Sequence, residues 1–106
     1  ISGDDGITFP LITLGAVGVI SVLGNAFPAE FSKMNRLALE GNYAEALTIH
    51  HQFTEIINLL FADGNPAGAK AMLNIMGMCE NKLRLPLVPA REMTYEKLRA
   101  AWEALK

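Results

Sequence analysis

The segment Gly18-Val19-Ile20-Ser21-Val22 constrains this chain more than any other part of it. Its residues are β-branched and apolar on both alternating faces. That is the pattern of a strand covered on both sides, as in a parallel sheet. The spacing predicts a strand over Val17–Val22, entered from Gly15 and left through a turn toward Pro28. One parallel strand can neither close a sheet nor cover itself, and most of the remaining sequence has helical periodicity. The pattern therefore calls for a sheet whose other strands lie outside these 106 residues.

Around that strand the order is strand end, helix, strand, helix, then three further helices. Ile1–Ser2 reads as a strand end, and Asp4 and Asp5 as caps of a helix over Gly6–Leu14 whose stripe is Ile7, Leu11 and Leu14. Gly15 is the expected stop. Pro28 fits the first turn of a helix running to Glu40 and ending at Gly41, with Phe31, Met34, Leu37 and Ala38 inward. Asn42 followed by Glu45 resembles a capping box opening the longest helix, Tyr43–Ala62. Its stripe is Ala46, Leu47, His50, Phe53, Ile57, Leu60 and Phe61. Asn65 is the expected cap of a following helix with Pro66 at its first position and Ala69, Met72, Leu73 and Met76 inside. The prolines of Leu83–Pro89 keep that stretch extended, and Thr94 is the expected cap of a last helix, Tyr95–Leu105. Two consecutive βα units with short loops place the chain in the parallel α/β class.

Composition narrows the function classes. Hydrophobic residues make up 51% of the chain and charged residues 19%, which suits a part of something larger or a subunit that buries much of itself. The net charge of −2 comes without a cluster of Lys and Arg, so no nucleic-acid footprint is expected. The single cysteine, Cys79, excludes an internal disulfide and fits a reducing compartment. From Gly6 to Ala29 no residue is charged, a run long enough to span a bilayer. Pro10, Gly15, Gly18, Gly24, Asn25 and Pro28 interrupt it and basic anchors are missing, so neither a membrane span nor a leader peptide is expected. His50 and His51, about 100° apart on one helix, cannot share a metal ion. Met72, Met76 and Met78 read as helix packing, and Arg84 as a surface residue. The residues alone leave open a helical interaction module without chemistry.

Four motifs then occur in one order: ISGDD at Ile1–Asp5, GVISV at Gly18–Val22, Asn65-Pro66 with Lys70 beyond, and RLPLVP at Arg84–Pro89. Their order and spacing resemble the C-terminal third of the pyruvate-dependent aldolase family that contains dihydrodipicolinate synthase and N-acetylneuraminate lyase. NPAGAK and RLPLVP favour the synthase branch, with a lyase-like aldolase as the alternative. NPAGAK replaces the bulkier NPIPVK of many members, a difference expected to concern helix packing.

The resemblance implies a C-terminal fragment of a (β/α)8 TIM barrel plus a three-helix extension, mostly helical within this chain. Residues 1–41 would hold the end of strand seven, helix seven, strand eight and helix eight, and residues 42–106 the extension. It implies a lyase of lysine (diaminopimelate) biosynthesis that condenses pyruvate with aspartate semialdehyde through a Schiff base on a lysine, without a further cofactor or metal. That lysine and the proton-relay tyrosines are expected upstream, since none of Lys33, Lys70, Lys82, Lys97 and Lys106 follows a strand. No catalytic residue is expected in this chain, which would be inactive alone. The resemblance further implies a cytoplasmic homo-oligomer, a dimer or tetramer, with Leu14 on a contact surface.

Barrel active sites lie at the C-terminal ends of the strands. The residues expected at the substrate pocket are therefore Ile20, offering its main-chain carbonyl to the pyruvate site, and Gly3 and Asp4 after strand seven. For Gly3 the competing reading is a turn glycine with positive φ, and for Asp4 a helix cap.

Overall fold

The computed structural model of the chain describes residues 1–105; Lys106 lies outside them. Five α-helices form: α1 (Thr8–Thr13), α2 (Pro28–Leu39), α3 (Tyr43–Ala62), α4 (Ala67–Ile75) and α5 (Glu92–Ala104). Short 3₁₀ turns cover Asp5–Ile7 and Leu23–Asn25. Two compact units result, Ile1–Thr54 and a second beginning at Glu55, with the division inside α3.

In the first unit, the expected strand Val17–Val22 is reduced to a single parallel bridge between Ser2 and Val19. The Ser2 amide donates to Gly18 O at 2.8 Å and the Ile20 amide to Ser2 O at 3.0 Å. A ladder lengthens only where a neighbouring strand continues beside it, and among the described residues the sole neighbour is Ile1–Ser2. The expected burial on both faces fails for the same reason: Ile1 is 82% exposed, Val17 71% and Ile20 79%. The parallel direction is as the sequence predicts.

Helix α1 also departs from its expected face. Ile7 and Leu14 are exposed, while Thr8 and Ile12 are buried. The cause is Asp5, whose side chain turns inward rather than capping the helix that follows. Asp5, Thr8 and Ile12 are spaced as one helical face, so fixing the carboxylate inside brings the other two in with it. The C-terminus is as expected: Gly15 has φ +111°, its amide donates to Ile12 O, and the Ala16 amide donates to Leu11 O. This crossed pair is the Schellman ending that a left-handed residue permits, and Gly41 closes α2 in the same way.

Pro28 opens α2, which buries Phe31, Met34 and Ala38. The bounds of α3 are those the sequence predicts, and in the first unit it buries Ala46 and Phe53, the latter edge-on to Phe27 with ring centroids 4.9 Å apart. Leu47 and Phe61, placed on its inner stripe by spacing, are exposed.

The second unit is built on Ile56, Ile57, Leu60, Met72 and Leu98, all buried. Helix α4 starts one residue later than expected: Pro66 is its N-cap and accepts from the Lys70 amide at 3.0 Å, and no side chain caps the helix. The Asn65–Pro66 and Leu85–Pro86 peptide bonds are cis. Helix α5 starts three residues earlier than expected, with Arg91 at the N-cap, so Thr94 lies inside the first turn and is buried. No side chain caps this helix, and its start is anchored from a distance instead. Asp63, just beyond α3, accepts from the Arg91 amide at 2.8 Å and from Arg91 Nε at 2.9 Å, and the Thr94 side chain hydrogen-bonds to it as well. The Arg91 side-chain and backbone bonds, aided by Thr94, lower the Asp63 pKa to about 2. Residues 83–89 stay out of helix, with one turn closed by the Leu87 amide on Arg84 O at 3.1 Å. No helix of the described residues is long and apolar enough to cross a membrane.

The NPAGAK departure has a physical basis in Gly68. A Cβ there would lie 2.0 Å from Leu60 O and 2.7 Å from Leu60 Cα. Backbone cannot yield as a flexible side chain would. Gly68→Ala is therefore expected to push α4 off α3 and cost about 1–3 kcal/mol, the range for overpacking a filled site, read as a lower denaturant midpoint.

A second expectation concerns acid. Because the folded pKa of Asp63 is below that of the unfolded chain, its contribution is fully present above about pH 4 and is lost as pH falls toward about 2. Asp63→Asn should destabilise the chain at neutral pH and flatten the fall in stability over that acid window, as measured by urea titrations at several pH values.

Candidate functional site at the bridged chain ends

Two backbone segments meet at the Ser2–Val19 bridge and leave it together. On one side Ser2 is buried, and its hydroxyl accepts from the Asp4 amide at 3.2 Å and lies 3.0 Å from Thr8 Oγ1. Thr8 Oγ1 donates to Asp4 O at 2.8 Å. These bonds fix the path of Gly3 and Asp4 although both are exposed. Gly3 is not among the glycines with positive φ, and a Cβ placed on it would meet nothing within 4 Å. The turn-glycine reading therefore fails, and what remains is a bare stretch of accessible backbone. Asp4 accepts from the Gly6 amide at 2.9 Å and caps the 3₁₀ turn, the role expected of it as a cap.

On the other side the Ile20 side chain points to open surface, while its amide is held by Ser2 O. Among the described residues, no loop backbone N–H donates to the Ile20 carbonyl. Two and three residues on, the chain is anchored again. Asp5 Oδ2 accepts from the Val22 amide at 3.0 Å and the Leu23 amide at 2.9 Å, and Ser21 Oγ accepts from the Gly24 amide at 2.8 Å. Asp5 is the residue sequence reasoning misplaced. The available signal was the pair of adjacent aspartates: a turn has one N-cap position, which leaves the second acid free for another role.

The remaining candidates do not join this place. His50 packs on Phe9 with ring centroids 5.7 Å apart, and its pKa is lowered by burial first and by the neighbouring His51 second. Among the described residues no group of three His, Cys, Asp or Glu side chains could hold a metal ion. Met72 is buried, Met76 half-buried and Met78 exposed, and Arg84 is exposed. Cys79 is free, with Asn74 Nδ2 donating to its carbonyl at 2.9 Å. Among the described lysines none lies at the bridge: Lys33 and Lys70 are within α2 and α4, Lys97 within α5, and Lys82 beyond α4.

Residues 1–105 match the sequence profile of the dihydrodipicolinate synthetase family. The chain belongs to that family. It is 76% identical over 106 residues to the 4-hydroxy-tetrahydrodipicolinate synthase of Phocaeicola vulgatus, which covers all of this chain and 36% of that protein. Among solved structures, it is similar to dihydrodipicolinate synthase from Aquifex aeolicus, with a TM-score of 0.93 and 39% identity over 99% of this chain and 36% of the other. It is also similar to the chloride-inhibited dihydrodipicolinate synthase of Acinetobacter baumannii complexed with pyruvate, with a TM-score of 0.91 and 36% identity over 96% of this chain and 35% of that one. This member of the dihydrodipicolinate synthetase family thus spans about a third of the length of those relatives, and the matching part is their C-terminal third.

Proposed function

We propose that residues 1–41 are the last two βα units of a (β/α)8 barrel and residues 42–106 its helical extension. The observation that carries this reading is the parallel bridge from Ser2 to Val19, the only one among the described residues, flanked by exposed Ile1, Val17 and Ile20. Apolar strand residues left open on both faces are what the end of a barrel presents when its other strands lie elsewhere in the polypeptide. The whole protein, in this proposal, is a lyase of lysine biosynthesis condensing pyruvate with aspartate semialdehyde, and it works as a cytoplasmic homo-oligomer. Exposed Ile7 and Leu14 on one side of α1 support association of copies.

The chemistry divides between the two parts of the barrel. A lysine amine upstream attacks the pyruvate carbonyl, water leaves, and an imine forms. The present chain contributes backbone: the Ile20 carbonyl at one strand end, and Gly3 with Asp4 at the other. A carbonyl accepts hydrogen bonds, so that of Ile20 suits the lysine-derived N–H better than the pyruvate carboxylate, itself an acceptor. Asp4, occupied as a cap, reaches a substrate only with the oxygen that Gly6 leaves free.

Borohydride trapping tests the division. Hydride reduces the imine carbon and leaves a stable secondary amine, so full-length protein treated with pyruvate and borohydride should gain one adduct by intact mass. The 106-residue chain treated alike should gain none; an adduct on it would overturn the placement of the lysine. A second expectation concerns Ile20 in the full-length protein. Ile20→Val changes only the side chain and should leave pyruvate KM within about twofold. Ile20→Pro removes the amide that binds Ser2 O and locks φ, and should abolish most of the trapped adduct. Equal effects from the two changes would remove the carbonyl from the site.

A further inference from the structure

We infer that Asp5 is a positioning residue for the Ile20 carbonyl, an inference that rests on the reading of Ile20 above. Asp5 is only 2% exposed, although its side chain is a carboxylic acid. Its Oδ2 takes both the Val22 and the Leu23 amides, and its Oδ1 is buried with no hydrogen-bond partner among the described residues. A buried acid costs free energy unless donors compensate it. Here the compensation comes entirely from two consecutive backbone amides lying 17 and 18 residues along the chain.

The bonds around Ile20 then form a frame. The Ile20 amide is fixed by Ser2 O, the Val22 and Leu23 amides by Asp5, and the Gly24 amide by Ser21 Oγ. Asp5 is joined to Ser2 through only two intervening residues, so both anchors of the Ile20–Leu23 segment belong to one short, hydrogen-bonded stretch. The Ile20 carbonyl lies between those anchors and is left for a ligand. The two adjacent aspartates therefore divide the work. Asp4 closes the local turn, and Asp5 sets where the opposite strand end points. A general acid or base role does not suit Asp5, because its side chain is covered and one oxygen is already shared by two donors.

The test uses the full-length protein with Asp5→Asn and Asp5→Ala. Asn keeps the volume and a neutral acceptor oxygen, whereas Ala removes the anchor. Hydrogen exchange of the peptide containing Val22 and Leu23 should quicken in both variants, more in Asp5→Ala. Pyruvate KM should rise about tenfold in Asp5→Ala, in keeping with the loss of charge-assisted bonds, and by less in Asp5→Asn, with the KM for the aldehyde substrate little changed. Unchanged exchange at Val22 and Leu23 overturns the inference, as does a rise shared equally by both substrates. If Asp5→Ala does not fold, Asp5→Asn supplies the same two readings. Should the wild-type protein form no pyruvate adduct, the functional reading falls, while hydrogen exchange still decides whether Asp5 pins the segment.

Discussion

The first unit depends on two backbone amides sharing one buried carboxylate oxygen. Asp5 reaches Val22 and Leu23 across a loop, so the chain between them must return close to where it started. That closure determines which way α1 rolls, because an acid facing inward takes Thr8 and Ile12 with it and turns Ile7 and Leu14 outward. It also brings Ser2 beside Val19, since Ser2 lies just ahead of Asp5 in the same fixed stretch. A hydrogen-bonded acid has a position and a direction, whereas apolar contact is indifferent to both. In this small unit the directional interaction determines the packing.

The second unit uses a charged group and a missing side chain for a comparable end. Asp63 joins the end of α3 to the start of α5 through Arg91 and Thr94. Gly68 lets α4 lie on the backbone of Leu60. The acid fixes where a helix begins, and the glycine fixes how near one may come. Neither contributes much apolar area, yet the helices they position bury Leu60, Met72 and Leu98 completely.

Much of the fold was legible where its cause was local. Gly15 and Gly41 stop α1 and α2 through bonds made within a few residues, and α3 spans the residues its periodicity marks. Legibility ended where a partner came from far along the sequence. Thr94 looked like a cap because nothing near it revealed that Asp63 would hold Arg91, and α5 begins three residues sooner than expected. The stripe assigned to α1 was sound as periodicity, but it gave no weight to an acid seeking amides well downstream. Asp4 was read correctly as a cap, whereas Asp5 was assigned to the same turn when it serves another. The strand was legible in direction and not in extent, because extent depends on neighbours these residues do not include.

The segment around Val19 bears on how such a chain survives being made. It carries no charged residue from Gly6 to Ala29, the β-branched Val17 and Ile20 are exposed, and Val19 is bridged to Ser2. Folded proteins usually guard a strand edge with lysine, proline or a bulge, because an unguarded one is a template for any extended segment that drifts past. Between Val17 and Val22 neither lysine nor proline stands as such a guard. A matching strand that is already folded when Val17–Val22 emerges would seal the edge at once, whereas a crowd of identical chains would offer each other the same edge and aggregate.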